Sequence, residues 1–322
     1  MSAEKLFELK DLKKYFPVKS FLGGKKRFVK AVDGITMDIM KGETFGLVGE
    51  SGCGKSTLGR TMIRMYDVTG GSLSYHGEDI TNATAKDMEK YHNKMQIIFQ
   101  DPYSSLNPFW NVEEILTEPL KQIGMPAEER RDRIEYLLNR VGMKAEDMQK
   151  FPYEFSGGQR QRIGIARALT VDPEFIMCDE PIAALDSSIQ AQVVNMLDDL
   201  QQELGLTYLF VSHDLSMIRY ISTRIGVMYL GNLVELSESN TLYHNPLHPY
   251  TKALLSARPV ADPKIARENR RIKLVGELPS PLHVPAGCPF APRCPYKTAR
   301  CEEERPVLKE YDKGHFAACH MI

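Results

Sequence analysis

Apolar and polar residues alternate through residues 1–48, with breaks at Gly23-Gly24-Lys25-Lys26-Arg27 and Lys41-Gly42. A period of two is the signature of half-buried strands, so this segment is predicted to be a β-rich entry to the core, with the basic run as a solvated hairpin tip. The pattern then changes to short unbroken apolar runs: Thr44-Phe45-Gly46-Leu47-Val48, Met95-Gln96-Ile97-Ile98-Phe99, Phe175-Ile176-Met177-Cys178 and Leu206-Thr207-Tyr208-Leu209-Phe210-Val211. Runs without alternation suit strands buried on both faces of a parallel sheet. From about 101 to 165 charged repeats such as Glu128-Glu129-Arg130-Arg131-Asp132-Arg133 predict a helical insertion. From about 236 prolines crowd the chain, from Pro246 to Pro295, and leave room for little continuous helix or sheet. The predicted organisation is an α/β domain over 1–238, its helical part at about 101–165, and an irregular extension over 239–322.

Bulk properties narrow the classes. A chain of 322 residues exceeds the usual size of one core, and 43% hydrophobic residues suffice to build it. The net charge of −1 argues against a strongly basic nucleic-acid surface, so no nucleic acid is expected as partner. No apolar run approaches the ~18 residues that span a bilayer, and Met1-Ser2-Ala3-Glu4-Lys5 lacks the apolar region of a signal peptide. The expectation is a cytoplasmic protein whose membrane role is peripheral.

The most informative segment is Gly49-Glu50-Ser51-Gly52-Cys53-Gly54-Lys55-Ser56-Thr57, between an apolar run and a helix-like stretch. Strand, glycine loop and helix turn G-x-x-x-x-G-K-[ST] into a phosphate site: backbone N–H groups form a nest, and the helix N-terminus adds positive charge. Lys55 is expected to reach the β- and γ-phosphates and Ser56 to ligate Mg²⁺. Asp179 and Glu180 end the run that starts at Phe175, where Asp179 would hold Mg²⁺ and Glu180 would orient and deprotonate the attacking water. Ser156-Gly157-Gly158-Gln159 opens a segment of helical spacing and reads as a second anion site with Ser156 as cap.

In order along the chain stand the phosphate loop, Gln100 after a strand, Phe155-Ser156-Gly157-Gly158-Gln159, Asp179-Glu180, Ala184-Leu185-Asp186, and His213 in Val211-Ser212-His213-Asp214. This set resembles the ATP-binding cassette of ABC transporters, with Phe155 where Leu is commonest and Ala183 where Ser is common. The resemblance implies a P-loop NTPase with an N-terminal antiparallel β-subdomain and a helical subdomain. It implies that Gln100 touches Mg²⁺ or the lytic water and that His213 holds the γ-phosphate. Ser156, Gly157, Gly158 and Gln159 would cap the nucleotide of another cassette, with Asp186 linking the two sites. Tyr15 falls where the family places an aromatic ring against adenine; Phe28 competes, and an edge-strand role for Tyr15 stays open. Trp110 falls where a membrane subunit docks, or packs in the core.

The tail narrows the resemblance. His248-Pro249-Tyr250-Thr251-Lys252-Ala253-Leu254-Leu255 and Cys288-Pro289-Phe290-Ala291-Pro292-Arg293-Cys294-Pro295 resemble the tail of oligopeptide/dipeptide importer ATPases, and Leu12–Val18 the "F" member of the paired D and F ATPases. The implied function is ATP hydrolysis that powers import of oligopeptides or dipeptides, alternatively of nickel or another small solute, and least of all a soluble non-transport role. Implied partners are a second paralogous ATPase, two permeases and an extracytoplasmic binding protein at the membrane's cytoplasmic face. Cys288, Cys294, Cys301 and Cys319 are spaced C-x₅-C-x₆-C-x₁₇-C, without the C-x₂-C pairs of zinc ribbons. The resemblance implies a [4Fe-4S] cluster there, with zinc as the alternative. Cys53 and Cys178 are read as packing residues.

Overall fold

The computed structural model describes residues 4–18, 27–257, 272–274, 276 and 279–322. The tip residues Lys25 and Lys26, and Pro259 and Pro263, lie outside them. Elements are numbered along the chain. Two compact units result: Met1–Met40 with Thr44–Asn82 and Ser212–Ile322, and Lys41–Glu43 with Ala83–Val211.

In the first unit, β1 (Lys5–Val18) and β2 (Arg27–Met40) pair antiparallel, and β4 (Gly70–Tyr75) and β5 (Glu78–Asp79) extend them in the order β2-β1-β4-β5. Alternation in β2 puts Ile35, Met37 and Ile39 inside, whereas register shifts along β1 break the period and bury Leu6, Phe7, Leu9 and Leu12 together. A second sheet runs β11-β12-β10-β9-β3, from β3 (Thr44–Val48), β9 (Arg224–Tyr229), β10 (Asn232–Glu238), β11 (Lys309–Asp312) and β12 (His315–Ala317). All five residues of β3 are buried, and it pairs with β9 in parallel. Helix α1 (Lys55–Met62) follows β3, and α8 (Leu215–Ile221) precedes β9.

In the second unit, β6 (Met95–Ile98), β7 (Phe175–Asp179) and β8 (Thr207–Ser212) form a parallel run with Ile98 opposite Cys178 and Asp179 opposite Val211. Every residue of β7 and β8 is buried, which is why these runs do not alternate. Helices α2 (Ala85–His92), α3 (Pro102–Ser105), α4 (Val112–Gln122), α5 (Ala127–Arg140), α6 (Gly157–Leu169) and α7 (Ser187–Leu204) complete it. Asn111 starts α4 with a reciprocal box: its side chain accepts from the Glu114 N–H, and Glu114 accepts from the Asn111 N–H, both at 2.8 Å.

The proline-rich extension holds short elements, α9 (Ser239–His244), α10 (Pro249–Ser256) and α11 (Ala299–Glu303). Pro249 occupies the first turn of α10, where its missing N–H costs nothing. The pattern did not signal that β11 and β12 would add to a sheet, with Glu235 of β10 opposite Ala317. Glu235 explains the attachment: fully buried, its carboxylate accepts from the Leu247 N–H (2.7 Å) and the His248 N–H (2.9 Å) and pairs with His315 Nε2 (2.8 Å). A buried carboxylate without those donors would cost several kcal/mol, on the order of 3–5. No helix among the described residues is long and apolar enough to cross a membrane.

Candidate functional site

The phosphate loop bridges β3 and α1, and two of its glycines are required by space. A Cβ at Gly54, whose φ is +107°, would lie 2.0 Å from the Ala31 carbonyl oxygen; one at Gly49 would lie 2.2 Å from that of Met228. Those close approaches lock the loop against β2 and β9. The Lys55 amine, buried, donates to the carbonyls of Gly49 (2.8 Å) and Glu50 (3.2 Å). It thus lies over the loop that phosphate would fill. Cys53 is buried and its thiol pushed up by burial, and burial does the same to Cys178 with Asp179 adding to it; both side chains are buried.

Two residues that the motifs did not include hold this loop. The Glu50 N–H donates to the Tyr250 hydroxyl (2.8 Å), and the Arg293 guanidinium donates to both Glu50 carboxylate oxygens (2.6 and 3.0 Å). Phe290, Tyr229 and Tyr250 pack as one aromatic cluster with centroids 4.8–5.4 Å apart. Both residues stand in the tail segments that carry the resemblance, yet no spacing in the chain ties them to Glu50.

Tyr15 is half-buried, and its hydroxyl donates to the Asp33 carboxylate; the Lys30 amine lies 5.5 Å from its ring centroid. Arg305 donates to the other Asp33 oxygen (2.8 Å). Burial raises the Asp33 pKa, but the Tyr15 hydroxyl, the Arg305 guanidinium and Lys30 outweigh it and hold the carboxyl below its ordinary value. The rival Phe28 is 43% exposed on β2. His213 is exposed just after β8.

In the second unit Asp179 ends β7 almost fully buried, and Glu180 follows in the left-handed region at φ +46°. A non-glycine residue held there costs about 1–3 kcal/mol, a strain found where a side chain must be aimed. Its N–H donates to the Val211 carbonyl (3.0 Å), and Gln100, just past β6, donates from Nε2 to the Glu180 carboxylate (3.0 Å). Two of the sequence-predicted catalytic residues therefore meet at the carboxyl ends of neighbouring strands.

Ser156 caps α6: its hydroxyl accepts from the Gln159 N–H (3.4 Å), and Gln159 Oε1 accepts from the Ser156 N–H (3.0 Å). Gly158 is required because a Cβ there would come 2.5 Å from Ile189. Ser156 and Gln159 are exposed, as is Asp186, which opens α7. Phe155 is buried, so the departure from Leu serves as an apolar anchor. Phe109 is 85% and Trp110 39% exposed, which removes the core-packing alternative for Trp110.

Among the described residues no group of three or more His, Cys, Asp or Glu closes tightly enough to hold a metal ion. The thiols of Cys301 and Cys319 nevertheless act on those of Cys288 and Cys294. Burial first, then Cys301 and Cys319, push the Cys288 thiol up to about 11, and Cys294 is raised by burial with Cys319 and Cys301 adding to it. Cys288 N–H donates to the Cys301 carbonyl (2.8 Å).

Comparison with known proteins places these features. Residues 32–183 match the ABC transporter family model, and residues 234–301 match the oligopeptide/dipeptide transporter C-terminal region. The oligopeptide transport ATP-binding protein AppF of Bacillus subtilis is 53% identical, over 99% of this chain and 98% of that one. The dipeptide transport ATP-binding protein DppF of Escherichia coli is 47% identical, over 98% and 94%. Among solved structures, cbiO1 of Clostridium perfringens, part of the ABC transporter complex cbiONQ, covers 75% of this chain and 92% of its own with TM-score 0.65 and 25% identity. The cassette MJ0796, a dimer bound to ADP and Pi, covers 72% and 98% with TM-score 0.64 and 28% identity. The chain belongs to the ATP-binding subunits of ABC transporters, in the group that carries the oligopeptide/dipeptide C-terminal region.

Proposed function

We propose that this chain is the ATPase subunit that powers import of oligopeptides or dipeptides. The observation that carries this reading is end-to-end identity of 47–53% with subunits described as oligopeptide or dipeptide transport ATP-binding proteins. ATP is held by the loop Gly49–Thr57, with Lys55 on the β- and γ-phosphates and Tyr15 against adenine. Ser56, Asp179 and Gln100 would hold the Mg²⁺ that accompanies it, which would neutralise charge on the phosphates. Glu180 takes a proton from water as that water attacks the γ-phosphorus, the bond to the bridging oxygen breaks, and ADP leaves. Gln100, bonded to Glu180 at 3.0 Å, aligns that base and His213 the γ-phosphate.

Ser156, Gly157, Gly158 and Gln159 cap nucleotide on a second, paralogous cassette, and Asp186 couples the two sites. The exposure of Ser156, Gln159 and Asp186 and the dimeric MJ0796 support this. Two permease subunits dock at the exposed Phe109 and Trp110, and a binding protein outside delivers cargo, so the chain works at the cytoplasmic face of the membrane. Residues 1–238 act as the cassette and 239–322 as the extension.

An iron–sulfur cluster is proposed on Cys288, Cys294, Cys301 and Cys319. Cys301 and Cys319 act on the thiols of both Cys288 and Cys294, and a cubane would take one thiolate at each of four corners. The cluster would supply a redox-capable cross-link for the tail. Anaerobic purification should give broad brown absorbance that Cys301→Ser removes; a colourless protein with stoichiometric zinc overturns this assignment.

The function is tested by co-purifying the chain with its permeases and paired ATPase into vesicles. ATP-dependent uptake of labelled oligopeptides is expected; uptake of nickel ions and not peptides overturns the cargo reading.

A further inference from the structure

The tail grips the nucleotide site at two places. Arg293, 10% exposed at its side chain, makes a two-pronged ion pair with Glu50 inside the phosphate loop. Tyr250 accepts the N–H of the same residue. That N–H is thus engaged by the tail. Glu50 also puts a carboxylate beside the place where a triphosphate binds. Without Arg293 that charge would repel the ligand.

The second grip is on the adenine side. Arg305 donates to the buried Asp33, whose other oxygen holds the Tyr15 hydroxyl. Asp33 is linked onward through backbone: its N–H donates to the Gly231 carbonyl (2.8 Å), and the Gly231 N–H donates to the Cys53 carbonyl (2.8 Å). Tyr15, Asp33, Arg305 and Cys288 line one cavity of about 1240 Å³.

We propose that the C-terminal extension is a nucleotide-positioning element. Arg293 and Tyr250 set the phosphate loop through Glu50, and Arg305 sets Tyr15 through Asp33. Arg293 lies between Cys288 and Cys294, and Arg305 four residues beyond Cys301, so the fold of the cysteine segment fixes where both guanidinium groups stand. Arg293, Arg305 and Tyr250 are positioning residues: they act through Glu50, Asp33 and Tyr15. The inference rests on ATP binding at the phosphate loop.

The test is MgATP binding to the full chain by calorimetry, with Lys55→Ala as control for the underlying reading. If wild type does not bind, or Lys55→Ala binds as well as wild type, that reading fails and the proposal with it. Given a valid control, Arg293→Ala should weaken binding about tenfold and Arg305→Ala about threefold. Arg293→Ala with Glu50→Gln should recover to within about threefold of wild type, because the uncompensated charge is gone. In the assembled transporter Arg293→Ala should raise KM for ATP and leave kcat within about twofold. Unchanged affinity in Arg293→Ala overturns the proposal. So does a loss that Glu50→Gln does not restore and that tracks a lower melting temperature of the nucleotide-free chain, which would mark a merely structural role.

Discussion

The phosphate loop and the Ser156-Gly157-Gly158-Gln159 turn are both glycine-rich entries to helices, yet they are held in opposite ways. The first is wedged against the carbonyls of Ala31 and Met228 and gripped from outside by Tyr250 and Arg293. The second is held by the reciprocal bonds of Ser156 and Gln159 and by the close approach of Gly158 to Ile189, and it leaves Ser156 and Gln159 exposed to solvent. A loop that must wrap a ligand within its own chain is braced on several sides. A cap serving another molecule's nucleotide, the role proposed for the second, would keep its outer face open. On the proposed reading the same motif chemistry serves once as a cradle and once as a lid.

The largest way to sharpen that contrast removes chemistry and spares both loops. Glu180→Gln should lower turnover about 10³-fold or more while MgATP affinity stays within a few-fold, measured by phosphate release and calorimetry. Normal hydrolysis would show that Glu180 is not the base. Next comes the lid: Ser156→Arg should cut hydrolysis in the assembled transporter by about 100-fold and leave nucleotide affinity of the isolated chain unchanged, because the arginine blocks a surface used by the partner. Equal loss in both assays would make the turn part of the chain's own cradle. On the cradle side, Gly54→Ala forces a Cβ against the Ala31 carbonyl at a positive φ. It should cost about 1–3 kcal/mol in urea unfolding and abolish MgATP binding.

The smallest effect concerns the brace. Burial, partly opposed by Glu235 and reinforced by Lys252, pushes the His248 pKa down to about 4, and its Nδ1 accepts the Tyr250 N–H (3.1 Å). The folded state resists a proton that the unfolded chain accepts below about 6.5. Stability is therefore lost as pH falls from about 6.5 to about 4 and is flat below, a loss of up to about 3 kcal/mol. His248→Asn, which keeps a capping side chain, should make the urea midpoint fall less steeply over that window. An identical slope would place the titration elsewhere.

Much of this was legible in the sequence, and unevenly. The buried runs at Thr44, Phe175 and Leu206 announced parallel strands because residues buried on both faces cannot alternate. The phosphate loop was legible because its chemistry is contiguous. Arg293 and Glu50 are 243 residues apart, and Arg305 and Asp33 272, so nothing local joins them. Glu235 reads as a surface residue until its three donors are seen. Strand β11, Lys309-Glu310-Tyr311-Asp312, carries almost no apolar signal because it forms an edge.

The lid-and-cradle account is tested most directly by cross-linking. In the assembled transporter, Ser156→Cys in this chain would be paired with a cysteine placed at the partner ATPase's phosphate-loop serine. A short bifunctional reagent should join them when MgATP is present in a Glu180→Gln background, and not without nucleotide. No cross-link in any nucleotide state, with MgATP binding by the substituted assembly intact, would contradict it.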